Sequence, residues 1–228
     1  MHNLKILIFT KLDEWLDFFP ALIICMVLIQ FYYFNYNPSV SKLIFIILTP
    51  YVIPLICFRI SQRFAPVKEG ASYLGAKGYQ PWNATFKMQQ IFYTFPMLER
   101  VLILFGLYSV WLRLWGSKIG KNILWTSRTS ILDRAGVEIG DNCFFGHECV
   151  LISHVVQIKK GKILLYYRKV KIGNNVFIGA GSRLGPGSQV ADHTKMPILT
   201  DVYVNQKISN QTLGIEDEHE LEVFFSRT

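Results

Sequence analysis

Residues 172–185 read IGNNVFIGAGSRLG, and in this stretch a bulky aliphatic residue returns every six positions. Ile172, Ile178 and Leu184 are each followed by Gly, and a small or aliphatic residue stands four places after each of them. This period fits neither an amphipathic helix nor a plain strand. It is typical of a parallel β-helix, in which each coil buries its apolar residues by stacking on its neighbours.

The same period extends to both sides of this stretch. The hexads open at Ile119, Trp125, Ile131, Ile139, Phe145, Leu151, Ile172, Ile178, Leu184, Val190 and Met196. Between Leu151 and Ile172 the chain leaves the register. A β-sandwich with glycine turns is the alternative, but its turns would be spaced more widely and less regularly. The hexads therefore predict a solenoid over residues 117–206.

The repeats at 139–142, 172–181 and 184–187 resemble those of the hexapeptide-repeat acyltransferases. The resemblance covers residues 119–204, a little over a third of the chain. It implies a left-handed parallel β-helix with triangular coils, about four of them here. The order of Ser153-His154, an insertion and an Ile-Gly restart is more similar to the membrane-associated solenoid domains that end some peptide-synthetase-like enzymes.

The N-terminal part is more apolar than a soluble protein requires. Hydrophobic residues make up 51% of the chain, and its mean hydropathy is +0.27. Residues 15–34 and 43–60 are two apolar spans joined by a short turn, and each is close to the length of a membrane helix. Pro50 and Pro54 in the second span are tolerated in such helices. Residues 1–63 are thus predicted to form a transmembrane helical hairpin, not a cleaved signal peptide.

The distribution of charge predicts the orientation of the hairpin. The chain has a net charge of +8, and the hairpin loop offers only Lys42. The hairpin's flanks carry Lys5, Lys11, Arg59, Arg63 and Lys68. The positive-inside rule then predicts an inner-membrane protein with its N-terminus and solenoid on the cytoplasmic side. The segment between Arg59 and Arg128 is rich in Lys and Arg, which suits anionic lipid headgroups. Because no nucleic-acid-reading motif accompanies this charge, we expect no nucleic-acid partner.

The segments that flank the solenoid are read from composition. Residues 64–116 begin as a connector rich in Gly and Pro and continue as an apolar run, which predicts an amphipathic helix in the membrane interface. A third full span over 97–115 is the alternative, and it would move the solenoid across the membrane. Residues 207–228 mix acidic and apolar side chains, which predicts a short C-terminal helix that caps the solenoid.

One histidine of the solenoid is the main candidate for a general base. His154 falls three residues after the hexad-opening Leu151, at an outward corner, and the resemblance places the family's catalytic histidine before such an insertion. A histidine can accept and return a proton near neutral pH. His147, one hexad earlier, is the alternative base or a group that binds the acceptor. Glu148 or Asp141 would orient either imidazole.

The resemblance also implies where an acyl donor would lie, along the coils after the histidine. The matching positions are Gly179, Ala180, Gly181 and Ser182, with 185–187 beyond them. Their small side chains let a pantetheine arm approach the backbone, while Arg183 and Lys195 could meet its phosphates. The donor would be acetyl-CoA, another acyl-CoA or acyl-phosphopantetheine on an acyl carrier protein. The same glycines could instead only shape the coil corners.

The insertion at 157–169 places an apolar run, Ile163–Tyr167, among Lys159, Lys160 and Lys162. This pattern predicts an apolar tip between basic flanks, which would cover the active site as a lid at the membrane face. An exposed hairpin does not ordinarily present such a run, because it promotes aggregation.

These features together predict a membrane-anchored acyltransferase. It would move an acyl group from a cytoplasmic thioester to a hydroxyl or amine of a lipid or lipid-linked acceptor, with no metal. Two alternatives belong to other classes: a non-catalytic β-helix that serves as a membrane scaffold or oligomerisation module, and a zinc enzyme of the γ-carbonic anhydrase kind. The latter would use His147, His154 and His193. The resemblance leaves both a homotrimer and a monomer open.

Overall fold

The computed structural model describes residues 15–74, 80–159 and 161–209. A helical part precedes the solenoid. Its elements are a 3-10 turn at Leu16–Phe18, α1 (Phe19–Tyr36), α2 (Val40–Phe64), β1 (Gly70–Leu74), α3 (Pro81–Thr94), α4 (Met97–Leu104) and α5 (Tyr108–Trp115). Residues 1–14 of the predicted hairpin and the predicted capping helix after residue 209 lie outside the described residues.

Helices α1 and α2 form a hairpin. Ser39 starts α2 by accepting a hydrogen bond from the backbone nitrogen of Lys42 at 3.4 Å, and Thr49 joins the two helices by donating to Gln30 Oε1 at 2.9 Å. Helix α2 continues through Pro50 and Pro54. Both helices are long and apolar enough to cross a membrane, and only 17% of each apolar window is buried inside the protein.

The apolar run after α3 does not form one straight helix. It is divided into α4 and α5, each eight residues long, by a turn at Phe105–Leu107 in which Gly106 has a φ of +70°. Leu107 closes this turn by donating its backbone N–H to Leu102 at 2.8 Å. Neither α4 nor α5 is long enough to cross a membrane alone, so the structure gives no support to the alternative of a third span over 97–115. Several apolar side chains of this segment, among them Leu104 and Phe105, are exposed.

The solenoid that the hexads predicted is confirmed as four stacked coils of three short strands each. Coil one holds β2 (Lys118–Ile119), β3 (Leu124–Trp125) and β4 (Ser130–Ile131); coil two holds β5 (Val137–Ile139), β6 (Phe144–Phe145) and β7 (Val150–Leu151). Coil three holds β10 (Val170–Ile172), β11 (Phe177–Ile178) and β12 (Arg183–Leu184); coil four holds β13 (Gln189–Val190), β14 (Lys195–Met196) and β15 (Asp201–Val202). Strand β16 (Lys207–Ile208) begins another turn.

Three parallel sheets make the faces of the solenoid. The first face has the order β16-β13-β10-β5-β2, the second β14-β11-β6-β3 and the third β15-β12-β7-β4. In every strand the hexad-opening residue points inward, and Phe145, Ile178 and Leu184 are completely buried. The same core continues into the helical part through Trp115 of α5. Burial of these apolar side chains stabilises the stack of coils. A single coil does not cover its own apolar residues, so this stabilisation depends on neighbouring coils.

Three edges join the faces, and each carries one histidine. The His193 edge consists of residues 120–122, 140–142, 173–175 and 191–193. The His147 edge consists of 126–128, 146–148, 179–181 and 197–199. The His154 edge consists of 132–136, 152–154, 185–187 and 203–205.

The insertion forms a β-hairpin at the His154 edge. Strands β8 (His154–Lys159) and β9 (Lys162–Tyr167) pair antiparallel, and β1 pairs with the other side of β9. Leu165 and Tyr167 are buried against Trp82. The prediction of an apolar tip is therefore wrong, because the apolar run is the central strand of a small sheet. The tip carries Lys159 and Lys162, while Lys160 lies outside the described residues.

Candidate active site

A histidine and a carboxylate meet at the His154 edge. His154 Nδ1 lies 2.7 Å from Asp133 Oδ2, and their side chains are 16% and 6% exposed. The two residues come from consecutive coils, so the stacking of coil two on coil one fixes the distance between them. Because the Asp133 carboxylate accepts a hydrogen bond at Nδ1, a neutral His154 imidazole carries its proton on Nδ1. The other ring nitrogen, Nε2, then has a lone pair that can accept a proton.

Two further donors hold the Asp133 carboxylate. Trp82 donates its indole N–H to Oδ1 at 3.0 Å, and the backbone nitrogen of Ser153 donates to Oδ2 at 2.9 Å. Together with the His154 ring these donors fix both carboxylate oxygens. Asp133 can therefore hold the imidazole in one orientation and stabilise the positive charge that the ring gains when it takes a proton.

Helix α3 covers this pair. Gln80 caps the helix by accepting from the backbone nitrogen of Trp82 at 3.4 Å, and Pro81 occupies its first position, where a missing N–H costs nothing. Trp82 and Phe86 follow four residues apart on one side of the helix, with ring centroids 4.6 and 6.2 Å from the His154 ring. The imidazole is thus held between the solenoid edge and an aromatic wall.

A buried ion pair fixes the residue next to Asp133. Arg134 is 1% exposed and binds Glu99 of α4 with two hydrogen bonds, of 2.6 Å from Nε and 2.5 Å from Nη2. Gln89 of α3 accepts from both the backbone and the side chain of Arg134. Burial alone would lower the pKa of Arg134, but Glu99 and the neighbouring tyrosines have a larger effect and raise it. This charge therefore locks the helical part onto the edge that carries Asp133.

Tyr93 makes a further contact between α3 and the His154 edge, because its hydroxyl donates a hydrogen bond to the carbonyl oxygen of Leu132. Burial raises the pKa of Tyr93 well above its ordinary value, so the phenol stays a donor at any physiological pH. Helix α3 therefore binds Leu132, Asp133 and Arg134 in succession.

An open cavity of about 390 Å³ borders His154 but not Asp133. Its lining residues are Phe86, Gln90, Tyr93, Thr94, Leu132 and His154. The walls are mainly apolar, and Gln90 and Thr94 supply polar groups. A substrate hydroxyl or amine that enters this cavity would come next to the His154 side chain, and a general base must lie within hydrogen-bond reach of the proton it removes.

The two other predicted acidic residues lie elsewhere. Asp141 is on the His193 edge, where Oδ1 accepts from the backbone nitrogen of Lys121 at 2.6 Å. Glu148 is on the His147 edge and pairs with Arg128 at 2.7 Å, a contact that lowers the pKa of Glu148. Glu148 also lies 3.7 Å from His147, so it accompanies that imidazole. The carboxylate that orients His154 is Asp133, which the sequence analysis did not single out.

His147 is about half exposed, and its Nδ1 lies 3.2 Å from Ser127 Oγ. It is separated from His154 by the third face. The predicted donor residues lie with His147: Gly181 donates its backbone N–H to the His147 carbonyl at 2.7 Å, and Gly179 and Ala180 belong to the same edge.

The remaining predicted donor residues make contacts within the solenoid. Ser182 is buried and donates to the Pro197 carbonyl at 3.2 Å, and Arg183 pairs with Asp201 at 2.8 Å. Lys195 lies on β14 of the second face. The structure therefore does not bring the predicted donor residues to His154. Of the predicted glycine corners, the one at 185–187 is on the His154 edge.

Asp133 did have a sequence signal, which was a break in the period. The hexads from Ile119 to Ile131 advance by six, but the next apolar residue used, Ile139, comes eight residues later. The strand register confirms this step, because Ile119 pairs with Ile139 across 20 positions whereas Ile172 pairs with Val190 across 18. The two extra residues enlarge the corner that carries Asp133 and Arg134.

The three histidines of the zinc alternative are on three different edges. Among residues 15–74, 80–159 and 161–209, no three His, Cys, Asp or Glu side chains are grouped so that they could hold a metal ion. One copy of the chain therefore does not bring His147, His154 and His193 together.

A family model described as the hexapeptide repeat of succinyl-transferase matches residues 136–158 and 169–186. This match confirms the hexapeptide repeat, the repeat of left-handed parallel β-helices, on both sides of the β8–β9 hairpin. A search of the curated proteins gave no match.

Several solved structures are similar to parts of the chain. A hexapeptide-repeat acetyltransferase of Vibrio cholerae in complex with acetyl-coenzyme A is 15% identical, with 42% of this chain and 56% of that chain covered and a TM-score of 0.35. A galactoside acetyltransferase in complex with coenzyme A is 17% identical, with 50% and 75% covered and a TM-score of 0.34. A serine acetyltransferase of Entamoeba histolytica is 16% identical, with 90% and 76% covered and a TM-score of 0.17. The chain spans little more than half the length of the Vibrio enzyme.

Proposed function

We propose that this hexapeptide-repeat protein is a membrane-anchored acyltransferase in which His154 is the general base. The observation that carries the proposal is the Asp133–His154 pair at a solenoid edge, where the His154 side chain borders an open cavity. An imidazole that is oriented by a carboxylate and borders a cavity is suited to accept a proton from a bound hydroxyl or amine.

The reaction would proceed in two steps. His154 Nε2 takes the proton from the acceptor O–H or N–H while the acceptor atom attacks the thioester carbonyl and forms a new C–O or C–N bond. The C–S bond then breaks, and the departing thiolate receives the proton from the imidazolium. Asp133 stays ionised throughout and stabilises the imidazolium between the two steps.

The donor in this proposal is an acyl-CoA, and the alternative donor is an acyl-phosphopantetheine on an acyl carrier protein. Acetyl-coenzyme A and coenzyme A are the molecules named with two of the similar structures. For this chain we place the thioester at the corner 185–187, because it shares the His154 edge. Gly187 stacks on this edge by donating to the Arg168 carbonyl at 3.0 Å. The distal part of the donor would then contact the other predicted donor residues, which are Gly179, Ala180, Gly181, Ser182, Arg183 and Lys195.

The acceptor in this proposal is a lipid or a lipid-linked molecule in the inner leaflet. Helices α1 and α2 carry an apolar surface that the rest of the protein does not cover, with Leu28, Phe45 and Ile47 more than half exposed. The exposed apolar residues of α4 and α5, which include Leu104 and Leu114, suit the membrane interface. With the hairpin inserted, the N-terminus and the solenoid are on the cytoplasmic side, where thioester donors occur.

The test uses the full-length protein in nanodiscs, isotope-labelled acetyl-CoA and a membrane lipid extract. Free thiol release and the label found in lipids by mass spectrometry are measured together. His154→Gln should lower both by about 100-fold or more, the usual contribution of a general base. His193→Gln, on another edge, is the matched control and should stay close to the original protein.

Three results would decide against the proposal. Full activity of His154→Gln would remove His154 as the base, and loss of activity in His147→Gln would transfer that role to the His147 edge. If the unaltered protein releases no thiol with acetyl-CoA, a long-chain acyl-CoA or an acyl carrier protein, the non-catalytic scaffold is the better description. Asp133→Asn, a positioning variant, should lower kcat and leave KM nearly unchanged.

A further inference from the structure

A second cavity borders Asp133 but not His154. It has a volume of about 210 Å³ and is enclosed by the end of α2, by α3, by the end of α5 and by the His154 edge. Trp82 and Asp133 border it, but His154 does not. The cavity is thus separate from the open one in which the acyl acceptor is proposed to bind.

Two buried donors in its lining have no partner. Trp115 is completely buried, and its indole N–H makes no hydrogen bond within the described part of the chain. The side-chain Nε2 of Gln62 is also buried and unpaired, while its Oε1 accepts from the backbone nitrogen of Val67 at 3.1 Å. Because Oε1 is held by Val67, the amide N–H groups are turned to the other side. Unpaired buried donors reduce stability unless something accepts from them.

Two cations stand at the same cavity. Arg59 of α2 lines it, and no carboxylate within the described ranges pairs with this guanidinium. Its Nη1 lies next to Gly116, at 3.6 Å from the position that a Cβ would take there, which is an ordinary contact distance. Lys169 is the second cation, and it shares the Glu138 carboxylate with Lys118. The hydroxyl of Tyr167 adds another donor to the lining.

The lining offers few free acceptors. Its one carboxylate is Asp133, whose two oxygens are already bound by Trp82, Ser153 and His154. Gln89 Oε1 is likewise occupied by Arg134. A site with unused N–H donors, two positive charges and occupied acceptors favours an anion with several oxygen atoms over a cation or an apolar group.

The geometry points to a binding site for a phosphate group in this cavity, held by Arg59, Lys169, Trp115 and Gln62. Its volume is below that of pockets for drug-sized ligands, which suits a single phosphate and the atoms next to it. The phosphate would belong to a lipid headgroup or be free in solution. Arg59 lies in the last two turns of α2, where a membrane helix would emerge among headgroups. This site does not depend on the proposed acyl transfer.

The test measures binding by the full-length protein in two arms. In the first, inorganic phosphate is titrated at constant ionic strength against the protein in neutral detergent, and the shift in Tm gives an apparent Kd. In the second, the protein is placed in nanodiscs of phosphatidylcholine with or without phosphatidic acid, and native mass spectrometry counts the phosphatidic acid molecules that stay bound. Arg59→Gln and Lys169→Gln are compared with Arg63→Gln, which changes an arginine of the same helix end outside the cavity.

We expect saturable binding in at least one arm, weakened about tenfold or more by Arg59→Gln and by Lys169→Gln and unchanged by Arg63→Gln. Trp115→Phe, which removes only the indole N–H from an aromatic ring, should weaken binding as well. Binding in the first arm alone assigns free phosphate, and binding in the second assigns a lipid. If neither probe binds, or if Arg63→Gln weakens binding as much as Arg59→Gln, ordered water satisfies the donors and the proposal is overturned.

Discussion

Replacing Glu99 with Gln would leave the Arg134 guanidinium without a countercharge in a place that bulk water does not reach. Arg134 is 1% exposed, and two of its nitrogens donate to the Glu99 carboxylate at 2.6 and 2.5 Å. Removing one partner of such a buried pair costs about 3–5 kcal/mol. Gln89 and the rings of Phe92 and Tyr93, which lie 4.9 and 4.8 Å from the guanidinium carbon, remain in contact and favour the lower end of this range.

This loss should be visible as a lower Tm. In a chain of this size 1 kcal/mol corresponds to roughly 2–4 °C, so Glu99→Gln should lower the Tm by about 10 °C in thermal unfolding followed by circular dichroism. The matched control is Glu69→Gln, which removes the partner of Arg168 in a pair that is 3.9 Å long and 44% and 42% exposed. That surface pair should contribute about 0–1 kcal/mol. Equal Tm values for the two variants would refute the idea that the Arg134 pair holds the helical part to the solenoid.

Three further substitutions test contacts within the solenoid and between the solenoid and α3 by the same measurement. Gly146→Ala should lower the free energy of unfolding by about 3 kcal/mol, because a Cβ there would lie 2.5 Å from a backbone nitrogen of the next coil. Gly185→Ala is the control: the nearest atom to its Cβ would be 3.1 Å away, so the loss should be under about 1 kcal/mol. Equal losses of stability in the two variants would contradict the close stacking at the His147 edge. Tyr93→Phe should cost about 1–3 kcal/mol, since the Leu132 carbonyl loses its donor, and an unchanged Tm would show that this bond contributes nothing.

The fold of the solenoid could be predicted because its period is carried by local residue choice. Each hexad needs one large inward residue and a small residue near the corner, so Ile178-Gly179 and Leu184-Gly185 indicate both the coil and its register. The apolar hairpin was predicted for a similar reason, since length and composition define such helices. The insertion was not predicted correctly, because its pairing with β1 joins residues about 90 positions apart.

The candidate site could be predicted only in part. His154 has a position within a hexad and a place before the insertion, and both can be read from the sequence. Asp133 and Arg134 stand where the period breaks, and what they contact depends on the stacking of coils and on α3. Glu148 was expected beside a histidine because it follows His147 directly, but sequence proximity gave no information about which carboxylate faces His154.

The way α3 lies across the His154 edge has a consequence for how the chain can be divided. The hexad period suggests a clean border near residue 117, and the apolar hairpin reads as an interchangeable anchor. However, a solenoid produced without the preceding residues would lose Trp82, Glu99 and Gln89 at once and would expose the Arg134 charge to water. Fusions that exchange one anchor for another at that border would therefore dismantle the site, and an exchange that keeps it must carry α3 and α4 along with the solenoid.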